Sequence, residues 1–296
     1  MDAECGHGMA VPACPPAMAD SPDGRAAGIR AEGLACPLLG PSDPAPLRWG
    51  AVASASRSLS VVIPCYNEEQ RLPRTIEHVE RYLDKRGDYE LILVDDGSRD
   101  GTRRVMDEAA ARHKNVRVEA LPANRGKGRA LAEGVKVSVG ESVLVTDADL
   151  STPIEELEKL ESALAAGAGV AIGSRAVKGS RVELAQPFYR VLMGKVFNLI
   201  VQVVLLPGIW DTQCGFKLFR GDIAREVFAG LTTDGFGYDP EVLYLAKKKG
   251  VRIAEVPVVW RNSAPTKVMP IRSSMDMFRH VVNVRLGRGA RSAARP

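Results

Sequence analysis

Asp147-Ala148-Asp149 follows the apolar run Val143-Leu144-Val145 and precedes Ser151-Thr152-Pro153-Ile154-Glu155. Carboxylates at the carboxyl end of a buried strand, just before a helix, are how an α/β protein presents hard oxygen ligands to a divalent cation. The flanking residues predict a stiffened turn, with Thr152 as helix N-cap, Pro153 at the first helical position and Glu155 closing a capping box. Alone, Asp-x-Asp after a strand is more often only a polar turn feeding a helix, so chemistry here requires partners elsewhere in the chain.

Those partners lie upstream. Leu59-Ser60-Val61-Val62-Ile63 reads as a buried strand that Pro64 ends, after which Tyr66, Asn67 and Glu68 emerge together. Glu90 to Val94 is a second strand, ending in Asp95-Asp96-Gly97-Ser98 and then Asp100-Gly101-Thr102. Val116-Arg117-Val118 leads to Asn124-Arg125-Gly126-Lys127-Gly128-Arg129. Each polar cluster precedes a helical segment, and in open parallel sheets the ligand crevice lies at the carboxyl ends of the strands, so the clusters should converge.

The elements that must position them are legible by periodicity. Leu72, Ile76, Val79 and Leu83 share one face of a first helix, and Val105, Met106, Ala109 and Ala110 share one face of a second, as helices covering a parallel sheet require. His78 and His113 have no acidic or histidine neighbours at metal-ligand spacing and read as surface residues. Arg125-Gly126-Lys127-Gly128 lacks the Gly-x-x-x-x-Gly-Lys-Ser/Thr spacing, and no Gly-x-Gly-x-x-Gly follows the first strand, which excludes ATPase and dinucleotide-binding readings. A net charge of +4 over 296 residues argues against a dedicated nucleic-acid binder. Five scattered cysteines form no disulfide framework or metal-ligand spacing and point to a reducing compartment. Cys65 and Cys214 read as small buried apolar side chains. Residues 1–58, rich in Ala, Gly and Pro, read as a disordered or low-complexity extension without a signal peptide, and 289–296 as a flexible basic tail.

The chain resembles an inverting family 2 glycosyltransferase of the GT-A fold, most nearly the dolichyl-phosphate or polyprenyl-phosphate β-glucosyltransferases and their mannosyltransferase relatives. The likeness is carried in order by residues 61–68, 94–98, 124–128, 146–151, 173–175, 187–190 and 211–217, and covers about Leu59 to Arg288. It implies an α/β fold of one Rossmann-like domain over 59–288, with a mixed, mostly parallel central sheet flanked by helices and with interfacial amphipathic helices. The implied reaction is metal-dependent inverting transfer of a hexose, glucose from UDP-glucose, to a polyprenyl or dolichyl phosphate at the cytoplasmic membrane face. By the same resemblance, Asp149 and Asp147 hold Mg²⁺ or Mn²⁺, and Ser151 occupies a position where mannosyl relatives carry a metal-assisting glutamine. Pro64, Tyr66 and Glu68 frame the base and ribose, Asp96 reads the base edge, and Lys127 lies nearby. Arg175, Arg190 and Lys267 grip the acceptor phosphate, while Asp239 borders the acceptor or sugar. Asp239 also reads simply as the N-cap of a helix beginning at Asp239-Pro240-Glu241. Lys247 to Lys249 read as its solvated end. Gly194 replaces a hydroxyl residue of some relatives.

The stretch from Pro187 to Pro207 is strongly apolar, but Arg190, Gly194, Asn198 and Gln202 recur every four residues. It falls short of the ~20 apolar residues of a bilayer span, which leaves a helix lying in the membrane interface or a buried core helix. Near the carboxyl end Met275, Phe278, Val281, Val282 and Leu286 alternate with Arg272, Arg279, Arg285 and Arg288, which suits a basic amphipathic helix on anionic headgroups or a helix packed on the domain. Alternatives to the glucosyl reading are a GDP-mannose-dependent mannosyltransferase, a family 2 transferase with a soluble acceptor, and a non-catalytic nucleotide-sugar binding module.

Overall fold

The structure, a computed structural model, describes residues 58–183, 188–261 and 279–286; the side chains of 188–193 and 195 are not among those described. The expectations for 1–57 and 289–296, and the proposed contact from Lys267, fall outside these residues.

Four apolar runs form parallel strands: β1 (Leu59–Cys65), β2 (Tyr89–Asp95), β3 (Val116–Ala120) and β4 (Ser142–Val145). Beyond them lie β5 (Val170–Ser174), the short β6 (Arg181–Glu183), β7 (Lys217–Arg220), β8 (Ile253–Pro257) and β9 (Val259–Arg261). The main sheet runs β3-β2-β1-β4-β7-β5-β8, and β7 is antiparallel to both of its neighbours. β6 and β9 make a separate parallel pair. A mixed, mostly parallel sheet is therefore observed, as the sequence suggests.

Alternation along the strands divides the core into two layers. Val61, Ile63, Leu91, Leu93 and Leu144 meet α1 (Leu72–Leu83), α2 (Thr102–Arg112) and α4 (Leu157–Ala165) on one face. Val62, Ile92, Val94, Val143 and Val145 meet α3 (Lys127–Val137), α5 (Phe188–Val204), α6 (Gly221–Ala229) and α7 (Tyr238–Lys248) on the other. The expected inner faces hold: Leu72, Ile76, Val79, Leu83, Val105, Met106 and Ala109 are all buried. A sheet covered on both sides explains why its strands read as continuous apolar runs.

Two local expectations are corrected. Pro64 does not end β1, which continues to Cys65 with Pro64 opposite Val94. β4 accompanies β1 only as far as Val62, so past that point the strand pairs on one side alone and a missing N–H is tolerated. The capping box is absent as well. Pro153 is extended at φ −57° and ψ 144°, so the helical turn starts only at Ile154. Thr152 Oγ1 instead faces Cys214 Sγ at 3.7 Å, and Glu155 meets His78 Nε2 at 3.0 Å. His78 and His113 are at the surface, as expected, yet each has an acidic partner distant in sequence: Glu155 and Glu80 respectively.

α5 settles against the sheet through Phe197 and Val201, while Val196, Leu199 and Val203 on its other side are 51%, 60% and 76% exposed. A fully buried helix is thereby excluded over this stretch. Among the described residues no helix is long and apolar enough to cross a membrane. Residues 279–285 are helical, and Val281 is buried in the same apolar layer as α3 and α7, so this segment packs on the domain.

Candidate active site

The carboxyl ends of β1, β2 and β4 and the loop after β3 meet over the sheet edge. Asn67 N–H donates to Ser98 Oγ at 3.0 Å and Glu68 N–H to Thr102 Oγ1 at 2.7 Å, which ties the β1 loop to the β2 loop. Glu68 also pairs with Arg71 at 3.1 Å. Asn67 holds a positive φ of 55°, in the left-handed region that asparagine enters more readily than most non-glycine residues.

Asp96 organises the next junction. Its Oδ1 accepts from Arg125 N–H at 2.7 Å, and its Oδ2 from Gly126 N–H at 2.8 Å and Asn124 Nδ2 at 3.0 Å. Burial raises the Asp96 pKa from its ordinary value, and the two backbone N–H groups work against that rise. In this structure Asp96 therefore fastens the loop that carries Lys127. A cavity of about 450 Å³ lies against the same loop, lined by Gly97, Ser98, Leu121, Pro122 and Asn124 among others. Gly126, at φ 106°, passes so close to the Asp234 carbonyl that a Cβ would sit 2.6 Å from it, so only glycine suits both the conformation and the approach.

Asp147 is the meeting point of the two halves of the sheet. Its carboxylate contacts Lys127 Nζ, at the first residue of α3. It also lies over Gly215, where any Cβ would collide with the carboxylate. Asp149 Oδ1 accepts from Ser151 N–H at 2.9 Å, and Thr75 Oγ1 donates to the Ala148 carbonyl at 2.6 Å, so the Asp147–Asp149 turn is braced from α1 and from its own following residue. Leu150, next in sequence, has φ 46°. Ser151 is buried, and its carbonyl accepts from Arg261 N–H at 2.7 Å. Among the described residues no three His, Cys, Asp or Glu side chains gather to hold an ion unaided. Two carboxylates of this kind fit a small hard cation that takes one or two protein oxygens and completes its shell with phosphate oxygens and water.

Burial opposes the Lys127 charge, but Asp147, Asp239 and Asp149 outweigh it and its pKa is raised. The ammonium stands 5.5 Å from the centre of the Tyr238 ring. Lys217 approaches the same ring at 5.8 Å. Lys217 is wholly buried, donating to the Cys214 carbonyl at 2.5 Å and pairing with Asp239. Asp239 consequently is not the helix cap that its Asp-Pro-Glu context suggests: the N-cap of α7 is Gly237, and Asp239 lies inside the first turn facing Lys217. Burial and the charges of Asp239 and Asp147 push the Tyr238 hydroxyl well above its ordinary pKa.

Arg175 sits at the end of β5 on the other side of the site. Its Nε and Nη2 donate to the two oxygens of Asp211 at 2.7 and 2.9 Å, its backbone N–H donates to the same carboxylate at 2.9 Å, and its guanidinium stacks 5.4 Å from the Trp260 ring centre. Burial raises and Arg175 lowers the Asp211 pKa, and the net shift is downward. Glu255 accepts the backbone N–H groups of Trp210 and Asp211 at 2.7 and 2.9 Å. Arg190 lies on the first turn of α5, its side chain outside those described, and a Cβ at Gly194 would meet open space. Cys65 and Cys214 are buried free thiols whose pKa burial raises, which keeps them protonated and inert. Lys247 to Lys249 are exposed at the end of α7, as expected.

The structure thus brings Asp96, Lys127, Asp147 and Asp149 into one cluster at the carboxyl edge of the sheet, while Arg175 pairs with Asp211 at the end of β5. Sequence reasoning gave no role to Lys217, Tyr238, Asp211, Glu255 and Trp260, although Asp211 and Lys217 lie in the motif 211–217, and Lys217 is also a charge inside the apolar run Phe216-Lys217-Leu218-Phe219.

Comparison with known proteins places the chain in a family. The sequence model described as "Glycosyl transferase family 2" matches residues 60–228. The chain is 37% identical over 247 residues to the dolichyl-phosphate beta-glucosyltransferase of Homo sapiens, covering 79% of this chain and 76% of that one. It is 31% identical to the enzyme of the same name from Saccharomyces cerevisiae, over 77% of this chain and 74% of the relative. Among solved structures, glucosyl-3-phosphoglycerate synthase from Mycobacterium tuberculosis in complex with Mn²⁺ and UDP-glucose shares the fold at a TM-score of 0.58 and 21% identity, over 80% of this chain and 81% of that one. With a family match across more than half its length and the strand-end carboxylates in place, the chain belongs to glycosyl transferase family 2 and is a glycosyltransferase.

Proposed function

We propose that the protein transfers glucose from UDP-glucose to a dolichyl or other polyprenyl phosphate, with inversion and with Mg²⁺ or Mn²⁺, while seated peripherally on the cytoplasmic face of a membrane. The observation that carries this is the 37% identity, across most of both chains, with a dolichyl-phosphate beta-glucosyltransferase. The Mn²⁺ and UDP-glucose bound by the mycobacterial synthase of the same fold support the donor and metal.

Asp147 and Asp149 would hold the cation, which when bound supplies Lewis acidity to the leaving diphosphate. Asp96 keeps the Lys127 loop in place, and Lys127 brings a positive charge to the same region. Pro64, Tyr66 and Glu68 line the base and ribose side, and Ser151 braces Asp149. On the acceptor side, a phosphomonoester oxygen is already ionised near neutral pH, so no strong general base is needed and orientation by charge-assisted hydrogen bonds matters more. Arg175 fills that role, held at a fixed angle by Asp211 and Trp260, together with Arg190 and Lys267. The exposed Val196, Leu199 and Val203 give α5 an apolar side suited to an acyl-chain boundary.

The test is a screen of radiolabelled UDP- and GDP-sugars against a short polyprenyl phosphate in detergent or liposomes. Label from UDP-glucose should enter the lipid fraction in a metal-dependent way. Label from GDP-mannose instead, or transfer only to water-soluble phosphates, would overturn the proposal.

A further inference from the structure

The donor side contains a cation of its own. Lys127 Nζ contacts Asp147, and its side chain is only 18% exposed. It occupies the first residue of an eleven-residue helix, where the backbone N–H groups and the helix dipole favour an anion and disfavour a lysine. The Asp147 carboxylate in direct contact, with the Tyr238 ring 5.5 Å away and the charges of Asp239 and Asp149 nearby, keeps the ammonium there despite that cost. The same Tyr238 ring is approached at 5.8 Å by the buried Lys217, which pairs with Asp239. Gly215 contributes by omission, since a side chain there would displace the carboxylate that Lys127 contacts.

We propose that Lys127 is the resident counter-cation of Asp147, which must leave the carboxylate for a divalent ion to bind and which then turns to the diphosphate that arrives with that ion. The proposal rests on the donor assignment given above. Asp147 cannot serve a compact ammonium and a divalent cation equally at once, because the two positive charges would stand within a few ångströms of each other. A lysine has a flexible four-carbon stem and three rotatable donors, so its ammonium can swing while the helix stays fixed. A phosphate oxygen at the N-terminus of α3 would receive both that ammonium and the helix N–H groups. Metal alone is then discouraged, because it must displace Lys127 without compensation. Metal with diphosphate is favoured, because the displaced charge finds a new partner. By linkage the ion and the nucleotide promote each other's binding.

Titration calorimetry with Mn²⁺ alone, with UDP in EDTA, and with both together tests this on the wild type, Lys127→Met and Asp147→Asn, with thermal unfolding as the check on folding. Lys127→Met should bind Mn²⁺ alone about tenfold more tightly than wild type and UDP in EDTA about tenfold more weakly, two changes of opposite sign. Asp147→Asn should bind UDP in EDTA more tightly than wild type, because Lys127 is released, and this gain should vanish in the double variant. If Lys127→Met leaves Mn²⁺ affinity unchanged or lowers it, or if Asp147→Asn does not strengthen metal-free UDP binding, the counter-cation role is wrong. Should the wild type bind neither UDP nor Mn²⁺ with UDP, the donor assignment itself fails. Where Lys127→Met proves unfolded, Asp147→Asn and its effect on metal-free UDP decide the matter alone.

Discussion

The two halves of the sheet are built to different rules. From β1 to β4 the strands are parallel, each ends in a polar loop, and the loops tie to one another through backbone N–H groups donating to Ser98, Thr102 and Asp96. From β5 onward the antiparallel β7 interrupts the pattern, and the site is held by side-chain ion pairs, Arg175 with Asp211 and Lys217 with Asp239. The first half is a scaffold of repeated units that fixes the proposed donor pocket by topology. The second half fixes individual charged groups, which suits the proposed recognition of a lipid-borne phosphate.

The largest effect should separate the halves outright. Asp149→Ala removes a proposed metal ligand and should lower transfer by about three orders of magnitude or more even at saturating metal, a loss on the scale of removing a transition-state charge stabiliser. Substantial activity in a radiochemical transfer assay would take the ion out of the mechanism.

Next in size is Asp211→Ala. Leaving the Arg175 guanidinium without its buried partner should cost about 3 kcal/mol or more of stability, measured by urea unfolding. Acceptor KM should rise more than donor KM, because Arg175 loses its fixed angle. Equal loss on both substrates would mean that the pair only holds the fold.

The same pair predicts a pH dependence. The folded Asp211 pKa lies below its unfolded value of about 3.9. Its contribution is therefore fully present above that value and is lost as pH falls through the lower, folded pKa. The stability gap between wild type and Asp211→Asn should be constant near neutrality and shrink only in that acid range. A gap that closes between pH 5 and 7 would show that another group is responsible.

A smaller effect distinguishes the outer surface of α5. Replacing the exposed Leu199 and Val203 together by glutamate should reduce flotation with liposomes by about tenfold or more while leaving metal-dependent UDP binding intact. Unchanged flotation would remove α5 from the membrane contact.

What could be read from the sequence follows the same division. Strands of apolar residues and helices with Leu72, Ile76, Val79 and Leu83 on one face are local patterns, and the polar ends of β1, β2 and β4 mark a crevice once a parallel sheet is granted. The pairings across the site are not local. Arg175 and Asp211 are 36 residues apart, and nothing in either neighbourhood announces the other. Asp239 misleads because Asp-Pro-Glu is a sound helix-start signal, and only the buried Lys217 redirects its carboxylate. Pro64 misleads for a related reason, since its cost depends on which side of β1 is already unpaired. Thr152 gives a correct-looking capping box, yet its hydroxyl faces Cys214 and the helical turn starts only at Ile154.

The most direct measurement is a crystal structure with UDP and Mn²⁺, recorded with anomalous scattering from manganese. The ion should appear between the Asp147 and Asp149 carboxylates and the diphosphate, with Lys127 moved from Asp147 onto a phosphate oxygen. A nucleotide bound elsewhere, or an ordered diphosphate with no manganese peak beside these two aspartates, would contradict the proposed donor site.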